Sequence, residues 1–321
     1  MGRVRALPLG VDIGTKRLRI ACAERSPSGE SRICAVVSRD LPSESVSATG
    51  EILQPDLAAA LIEQAVAELG TRQRSCVASV SDQALRIIRL PRMGGRERSR
   101  AARFEAARFS GWNIDEEPSS IRAHRVVDAL YAVAAVRSTV IASRARTLRA
   151  AGLRPRAIDS ETFALRRALP TADLIIDIGW ERTTMHAPIV EGQCAFSMHL
   201  GGAQITRGIA RDLAIDEVAA EARKRIVGLA GAGSAQLEQC VAELAHMIER
   251  CKARTPVAQI AMTGNGARLA GLRAGLESAV HVSVDIPVPD ALRGEAYPND
   301  VLEVAAPDWG HAVGLALWDA T

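Results

Sequence analysis

One short pattern occurs twice in this chain and limits what it can fold into. LGVDIG at 9–14 is an apolar run ended by Asp12 and Gly14, followed by a turn and a second apolar run over 18–23. LIIDIG at 174–179 repeats it with Asp177 and Gly179, and a β-favouring run follows at 183–187. Each copy predicts a β-hairpin, and a third strand is expected after each, over 33–37 and near 193–198. A lone Asp-x-Gly is an ordinary turn whose glycine supplies a positive φ. Two copies in matching surroundings imply two domains built on one plan and facing each other. The 321 residues have room for both, as halves 1–171 and 172–321.

The segments between the copies are α/β in character. A helix is expected from about residue 55, with Leu57, Leu61, Ala65 and Leu69 on one face and Gly70 past its end, then a strand over 76–80. Residues 85–138 read as an insert: a β-like run (85–90), an Arg-rich helix (96–109) and two strands (121–127, 130–136), with Thr139 returning to the first domain. Helices near 143–151 and 160–169 close this half, the second capped by Asp159 or Ser160. In the second half a helical insert is expected over about 206–257, with Asp216 capping one helix. A long helix over 234–254 carries Leu237, Val241, Leu244, Ile248 and Cys251 at helical spacing. A buried strand (257–262) then runs into Thr263-Gly264-Asn265-Gly266, and a small-residue helix (312–318) ends the chain.

Composition excludes several classes. At 48% hydrophobic and 24% charged the chain is globular, and no run approaches a membrane span or a secretory leader. Six scattered cysteines (22, 34, 76, 194, 240, 251), with no CxxC pair and no His at ligand spacing, predict reduced thiols and a cytoplasmic chain. His186, His199 and His311 are expected to be surface or core residues. Charge is unevenly spread: residues 86–156 hold sixteen Arg and no Lys against six acids. This stretch is a solvated face or a surface for something acidic, such as a partner or anionic lipid. With few aromatics interleaved, nucleic acid is disfavoured.

The paired hairpins carry a chemistry of their own. A Gly- and hydroxyl-rich turn offers backbone N–H groups to phosphate. An Asp at a strand end can hold Mg²⁺ through its waters. A glycine turn such as 263–266 lets a flat base approach the backbone.

At these residues the sequence resembles the actin-like ATPase superfamily, and within it the PilM family of type IV pilus assembly proteins. LGVDIGTKRLRIA (9–21) is similar to the first phosphate motif, LIIDIGWERTT (174–184) to the second, and IAMTGNGARLAGL (260–272) to the adenosine motif. VSDQALRIIRLPRM (80–93), AGLRPRAIDSETFALRRAL (151–169), LGGAQITRGIARDL (200–213), AEARK (220–224) and GHAVGLALW (310–318) extend the likeness nearly end to end. The resemblance implies an actin-like (ribonuclease H-like) two-domain α/β fold with a small subdomain inserted in the first domain. It implies a cytoplasmic ATP-binding scaffold, peripheral to the inner membrane, that docks the N-terminal segment of a PilN-like membrane protein around residues 80–92. ATP or ADP and Mg²⁺ are the implied cofactors. Gly14, Thr15 and Lys16, with Arg19 behind them, correspond to the first phosphate site, and Gly179, Thr183 and Thr184 to the second. Gly201 and Gly202 would form a nucleotide-side turn or a plain bend. Gly264, Asn265 and Gly266 would lie beside the adenosine, with Glu221 and Lys224 reaching the nucleoside unless they form only an i,i+3 surface pair. Asp12 and Asp177 would hold the metal.

Three positions depart from the pattern. Arg19 stands where the family usually has Lys, and Trp180 and Glu181 stand where small or polar residues are usual. They bear on hydrolysis and on phosphate binding more than on fold. The alternatives are a small-molecule kinase of the same superfamily, for which no acceptor-side Asp base is evident, and a nucleotide-free secretion-system platform protein.

Overall fold

The computed structural model describes residues 4–293 except Gln83 and Ala230, and residues 306–318. The outer ends of the two expected halves, 1–3 and 319–321, lie outside these.

In chain order the first half comprises β1 (Arg5–Ala6), β2 (Leu9–Ile13), β3 (Arg17–Arg25), β4 (Ser31–Asp40), α1 (Pro55–Glu68), β5 (Ser75–Val80), β6 (Ala84–Arg89), α2 (Gly95–Phe109), β7 (Ser119–Val127), β8 (Leu130–Arg137), α3 (Ser138–Ala150), β9 (Arg154–Ser160) and α4 (Glu161–Ala168). The second comprises β10 (Leu174–Ile178), β11 (Thr183–His186), β12 (Gly192–Gln193), β13 (Ala195–Met198), α5 (Gly202–Leu213), α6 (Glu217–Val227), α7 (Ser234–Lys252), β14 (Gln259–Thr263), α8 (Leu272–Val280), β15 (Ser283–Asp285) and α9 (Gly310–Ala316).

The repeat read from the sequence is a repeat of sheets. In the first, β2 pairs antiparallel with β3, β3 with β4, and β2, β5 and β9 run parallel. In the second, β10 pairs antiparallel with β11, β11 with β13, and β10, β14 and β15 run parallel. Even the register repeats: Asp12 stands opposite Arg19, and Asp177 opposite Thr184. Both turns close with the same bond, Gly14 N–H to the Arg17 carbonyl and Gly179 N–H to the Arg182 carbonyl, each 2.9 Å. Neither glycine has a positive φ. Their reason is crowding: a Cβ at Gly179 would lie 2.8 Å from the Arg182 oxygen.

Strand β9 was not anticipated. Its RPRAIDS sequence has no clear alternation, and it forms by pairing with β5 at the sheet edge. Helix α1 packs Ala65 of the expected face into the core, with Leu61 and Leu69 partly buried against it, but centres its contact on the small residues beside that face. Ala58, Ala59, Ile62, Ala65 and Val66 are buried, whereas Leu57 is 39% exposed, because the small residues let the helix lie close on the sheet. Ser160 caps α4 and Asp216 caps α6, the latter accepting the Ala219 N–H at 2.8 Å; such a cap contributes about 1 kcal/mol.

The stretch expected as an insert, helix α2 with strands β6, β7 and β8, encloses a core cluster that includes Ala102, Ala106, Ile114 and Val133. Its sheet reaches into the second half, where β12 adds to β6 through Gly192–Ile87 and Gln193–Arg86. Helices α5, α6 and α7 occupy the stretch expected as a helical insert, and α5 packs on both of the others. Helix α9, expected with the second half, packs on α4 and β2: a Cβ at Gly314 would stand 1.8 Å from the Ala164 carbonyl, and one at Gly10 2.0 Å from the Ala312 carbonyl. The cluster around Leu165, Ile175, Ala261, Ala312 and Val313 joins the two sheets. All six cysteines are free. Among the described residues no helix is long and apolar enough to cross a membrane.

Candidate functional site between the two hairpins

The strand ends that carry Asp12 and Asp177 open into one cavity of about 1000 Å³. Gly14, Thr15, Lys16 and Arg19 line it from the first hairpin, Gly179 from the second, and Gly202, Glu221, Lys224, Gly264, Asn265 and Gly266 from the remainder of the second half. Asp12 is buried, accepting the Ser79 hydroxyl at 3.2 Å and Arg19 at 3.5 Å. Burial raises the pKa of Asp177, and His311 Nε2 at 3.9 Å partly offsets this. Burial alone would lower the His311 pKa, but Asp177, Asp12 and Glu161 together raise it. His311 is therefore a cleft residue, contrary to the surface-or-core expectation. The carboxylate that defines its place lies far away in sequence. His186 is a core residue, its Nδ1 2.8 Å from the Thr162 hydroxyl, which donates to Asp82 at 2.6 Å.

Three expected residues stand behind the cavity wall. Thr183 donates to the Leu200 carbonyl at 2.6 Å, Thr184 bonds the Ser197 hydroxyl at 3.0 Å, and both are buried in β11. The hairpin register explains this, since the second turn is Gly179–Arg182 and the threonines already belong to the returning strand. Gly201 lies against that turn, where a Cβ would come within 2.7 Å of the Gly179 and Trp180 carbonyls. Gly202 and Ala203 donate their N–H groups to the same two oxygens at 3.0 and 2.7 Å. The glycines of the 263–266 turn also have a reason other than room for a base. Gly264, at φ +80°, would place a Cβ 2.4 Å from Asp177 Oδ1, and Gly266 one 2.3 Å from Ile178 Cγ2. The turn is pressed onto β10.

Glu221 and Lys224 are more than a surface pair. Their ion pair is 2.6 Å long with both side chains mostly covered, and Lys224 also donates to the Gly202 carbonyl at 3.0 Å and Thr206 Oγ1 at 2.7 Å. Burial lowers the Lys224 pKa. For Glu221, burial acts upward, but hydrogen bonds from Lys224 and Thr206 bring the net shift down.

Several cavity residues went unrecognised in the sequence. Glu161, first residue of α4, enters it paired with Arg182 at 3.2 Å, and Asp82 lies near it with burial raising its pKa to about 6. Arg144 is buried at the floor, donating to the Ile13 carbonyl at 3.3 Å and the Gly50 carbonyl at 3.1 Å. The stretches noted for their likeness, 80–93 and 151–169, contain Asp82 and Glu161, whereas Arg144 lies in neither. On these walls Arg19 Nε, Ser81 Oγ and His311 Nε2 are buried without a hydrogen-bond partner among the described residues. Such orphaned groups suit a polar, anionic occupant.

The family model for type IV pilus assembly protein PilM matches residues 10–320. The chain belongs to the PilM family. A chain in a PilM–PilN type IV pilus biogenesis complex is 27% identical to this PilM-family protein, with a TM-score of 0.85 and 98% of each chain covered. The ethanolamine utilization protein EutJ from Carboxydothermus hydrogenoformans matches at 13% identity and TM-score 0.60, covering 98% of this chain and 91% of that one. A chain of the MamK double helical filament matches at 13% and 0.54, with 98% of each covered. Among curated proteins none matches in sequence. The fold is the actin-like one, and the chain is an actin-like protein of type IV pilus assembly.

Proposed function

We propose that this protein binds ATP or ADP between its hairpins and acts as a cytoplasmic scaffold of the pilus inner-membrane platform. The observation that carries the nucleotide reading is that two hairpins of identical register meet at one cavity with orphaned polar groups on its walls. Gly14, Thr15 and Lys16 would take phosphate oxygens, and Gly264–Gly266 would lie beside the adenosine, near Glu221 and Lys224. Asp12 and Asp177 would hold Mg²⁺. Among the described residues no three His, Cys, Asp or Glu groups gather as a ligand cage, so the ion would keep most of its water. A ligand held by both halves, which we divide near residue 171, favours their closed arrangement. Calorimetric titration of Mg-ADP into the protein and into Asp12→Ala tests this; heat that the substitution leaves unchanged overturns it.

The partner is a PilN-like membrane protein, whose cytoplasmic N-terminal segment would lie along residues 80–92. Membership of the PilM family and the likeness to a chain of a PilM–PilN complex support this. Arg86, Arg89 and Arg92 are exposed along that stretch. Fluorescence anisotropy of a labelled peptide of that segment should rise on adding the protein, and a flat titration rejects this docking. The insert would also rest on anionic lipid. Phe104 is 67% exposed on α2, between exposed Arg100 and Arg108, and each basic residue near such a surface contributes about 1 kcal/mol. Flotation with phosphatidylglycerol vesicles, but not with neutral ones, is the expected result.

A further inference from the structure

The two turns that face the cavity are alike in backbone and differ in their two central side chains. Gly14-Thr15-Lys16-Arg17 matches Gly179-Trp180-Glu181-Arg182 position for position, as their common closing bonds show. The first turn presents a hydroxyl and an ammonium, the second an indole and a carboxylate. The Trp180 ring occupies the gap between the walls. Lys16 Nζ lies 5.5 Å from its centroid and Lys224 Nζ 5.1 Å from it, and the ring lies 3.4 Å from where a Gly202 Cβ would be.

The cations of the second wall are already engaged. Lys224 gives its ammonium to Glu221, Gly202 and Thr206, and Arg182 is paired with Glu161. Gly202 and Ala203 spend their N–H groups on the turn itself. Positive charge for phosphate thus comes from Lys16 of the first turn and from Arg19, which is paired with Asp12 at 3.5 Å but keeps a buried Nε without a hydrogen-bond partner among the described residues. A phosphate chain extending toward the second turn meets the indole and the exposed Glu181 carboxylate instead.

We infer that Trp180, assisted by Glu181, sets the length of phosphate chain the site accepts, admitting a nucleoside diphosphate and excluding a third phosphate. This rests on the nucleotide reading above. The test is calorimetric titration of wild type, Trp180→Thr (the residue of the matching first turn), Trp180→Phe and Glu181→Gln with Mg-ADP and Mg-ATP. Thermal melting of each unliganded protein checks folding. Wild type should bind Mg-ADP about tenfold or more tightly than Mg-ATP. Trp180→Thr should bring the two affinities together by gaining ATP, Trp180→Phe should keep the preference, and Glu181→Gln should reduce it. Equal affinities in wild type, or a preference that survives Trp180→Thr, overturns the inference while ADP binding stands. Binding of both nucleotides by Trp180→Thr alone makes the ring a general block and also overturns it. Absence of ADP binding in wild type and every variant removes the nucleotide reading itself.

Discussion

Arg19 faces Asp12 across the first hairpin, 3.5 Å from guanidinium to carboxylate, at the register position where Thr184 faces Asp177 across the second. One aspartate has a cation opposite it and the other a hydroxyl, so two residues of the same role differ in energy.

Neutralising them should therefore have unequal effects on stability. Asp12→Asn leaves a largely covered Arg19 unpaired and should cost about 2 kcal/mol or more. Asp177→Asn removes a charge that burial disfavours and should leave stability within about 1 kcal/mol of wild type or raise it. Urea denaturation at neutral pH distinguishes the two, and equal losses would remove the asymmetry.

Asp82 gives a pH dependence of definite sign. Its carboxyl is raised from 3.8 to about 6 by burial, reinforced by Glu161, despite the Thr162 hydrogen bonds that act downward. The folded state then holds this proton to higher pH than the unfolded chain, so stability falls as pH rises from about 4 to about 6 and levels off above. The melting temperature of wild type relative to Asp82→Asn should fall across that window. A constant difference from pH 4 to pH 7 contradicts the assignment.

Gly314 allows α9 to touch α4, where a Cβ would stand 1.8 Å from a backbone oxygen. Because backbone cannot turn aside as a side chain can, Gly314→Ala should cost about 1–3 kcal/mol. The loss should appear as a lower melting temperature, while Gly29→Ala, at a turn with open space, should lose only what its positive φ demands.

The Glu221–Lys224 pair should be coupled beyond the roughly 0.2–0.5 kcal/mol of an exposed helical pair. Thr206 bridges both groups, and both are mostly covered. A double-mutant cycle with Glu221→Gln and Lys224→Met should give about 1 kcal/mol of coupling, and Thr206→Val should reduce it. A coupling near zero would return the pair to the surface.

The sequence by itself determined the repeat, the paired sheets with Asp12 and Asp177 at matching strand ends, and the cap at Asp216, and it narrowed the cap of α4 to Asp159 or Ser160, of which the fold uses Ser160. These rest on period-2 alternation, turn chemistry and capping, which act over a few residues and are written in their identities. The family likeness added cavity-lining residues that lie within contiguous motifs, such as Gly14, Thr15, Lys16 and Gly264. Tertiary structure decided the rest. It set Thr183 and Thr184 behind the wall, because strand register fixes which residues remain in a turn. It buried the alanine face of α1 and joined β9 to a sheet edge, because packing distance and an available partner outweigh local propensity. It brought His311 to Asp177, Glu161 into the cavity and Lys16 over Trp180. Such contacts join residues far apart in sequence, so the order of residues along the chain does not encode the electrostatics of the cleft that the fold assembles.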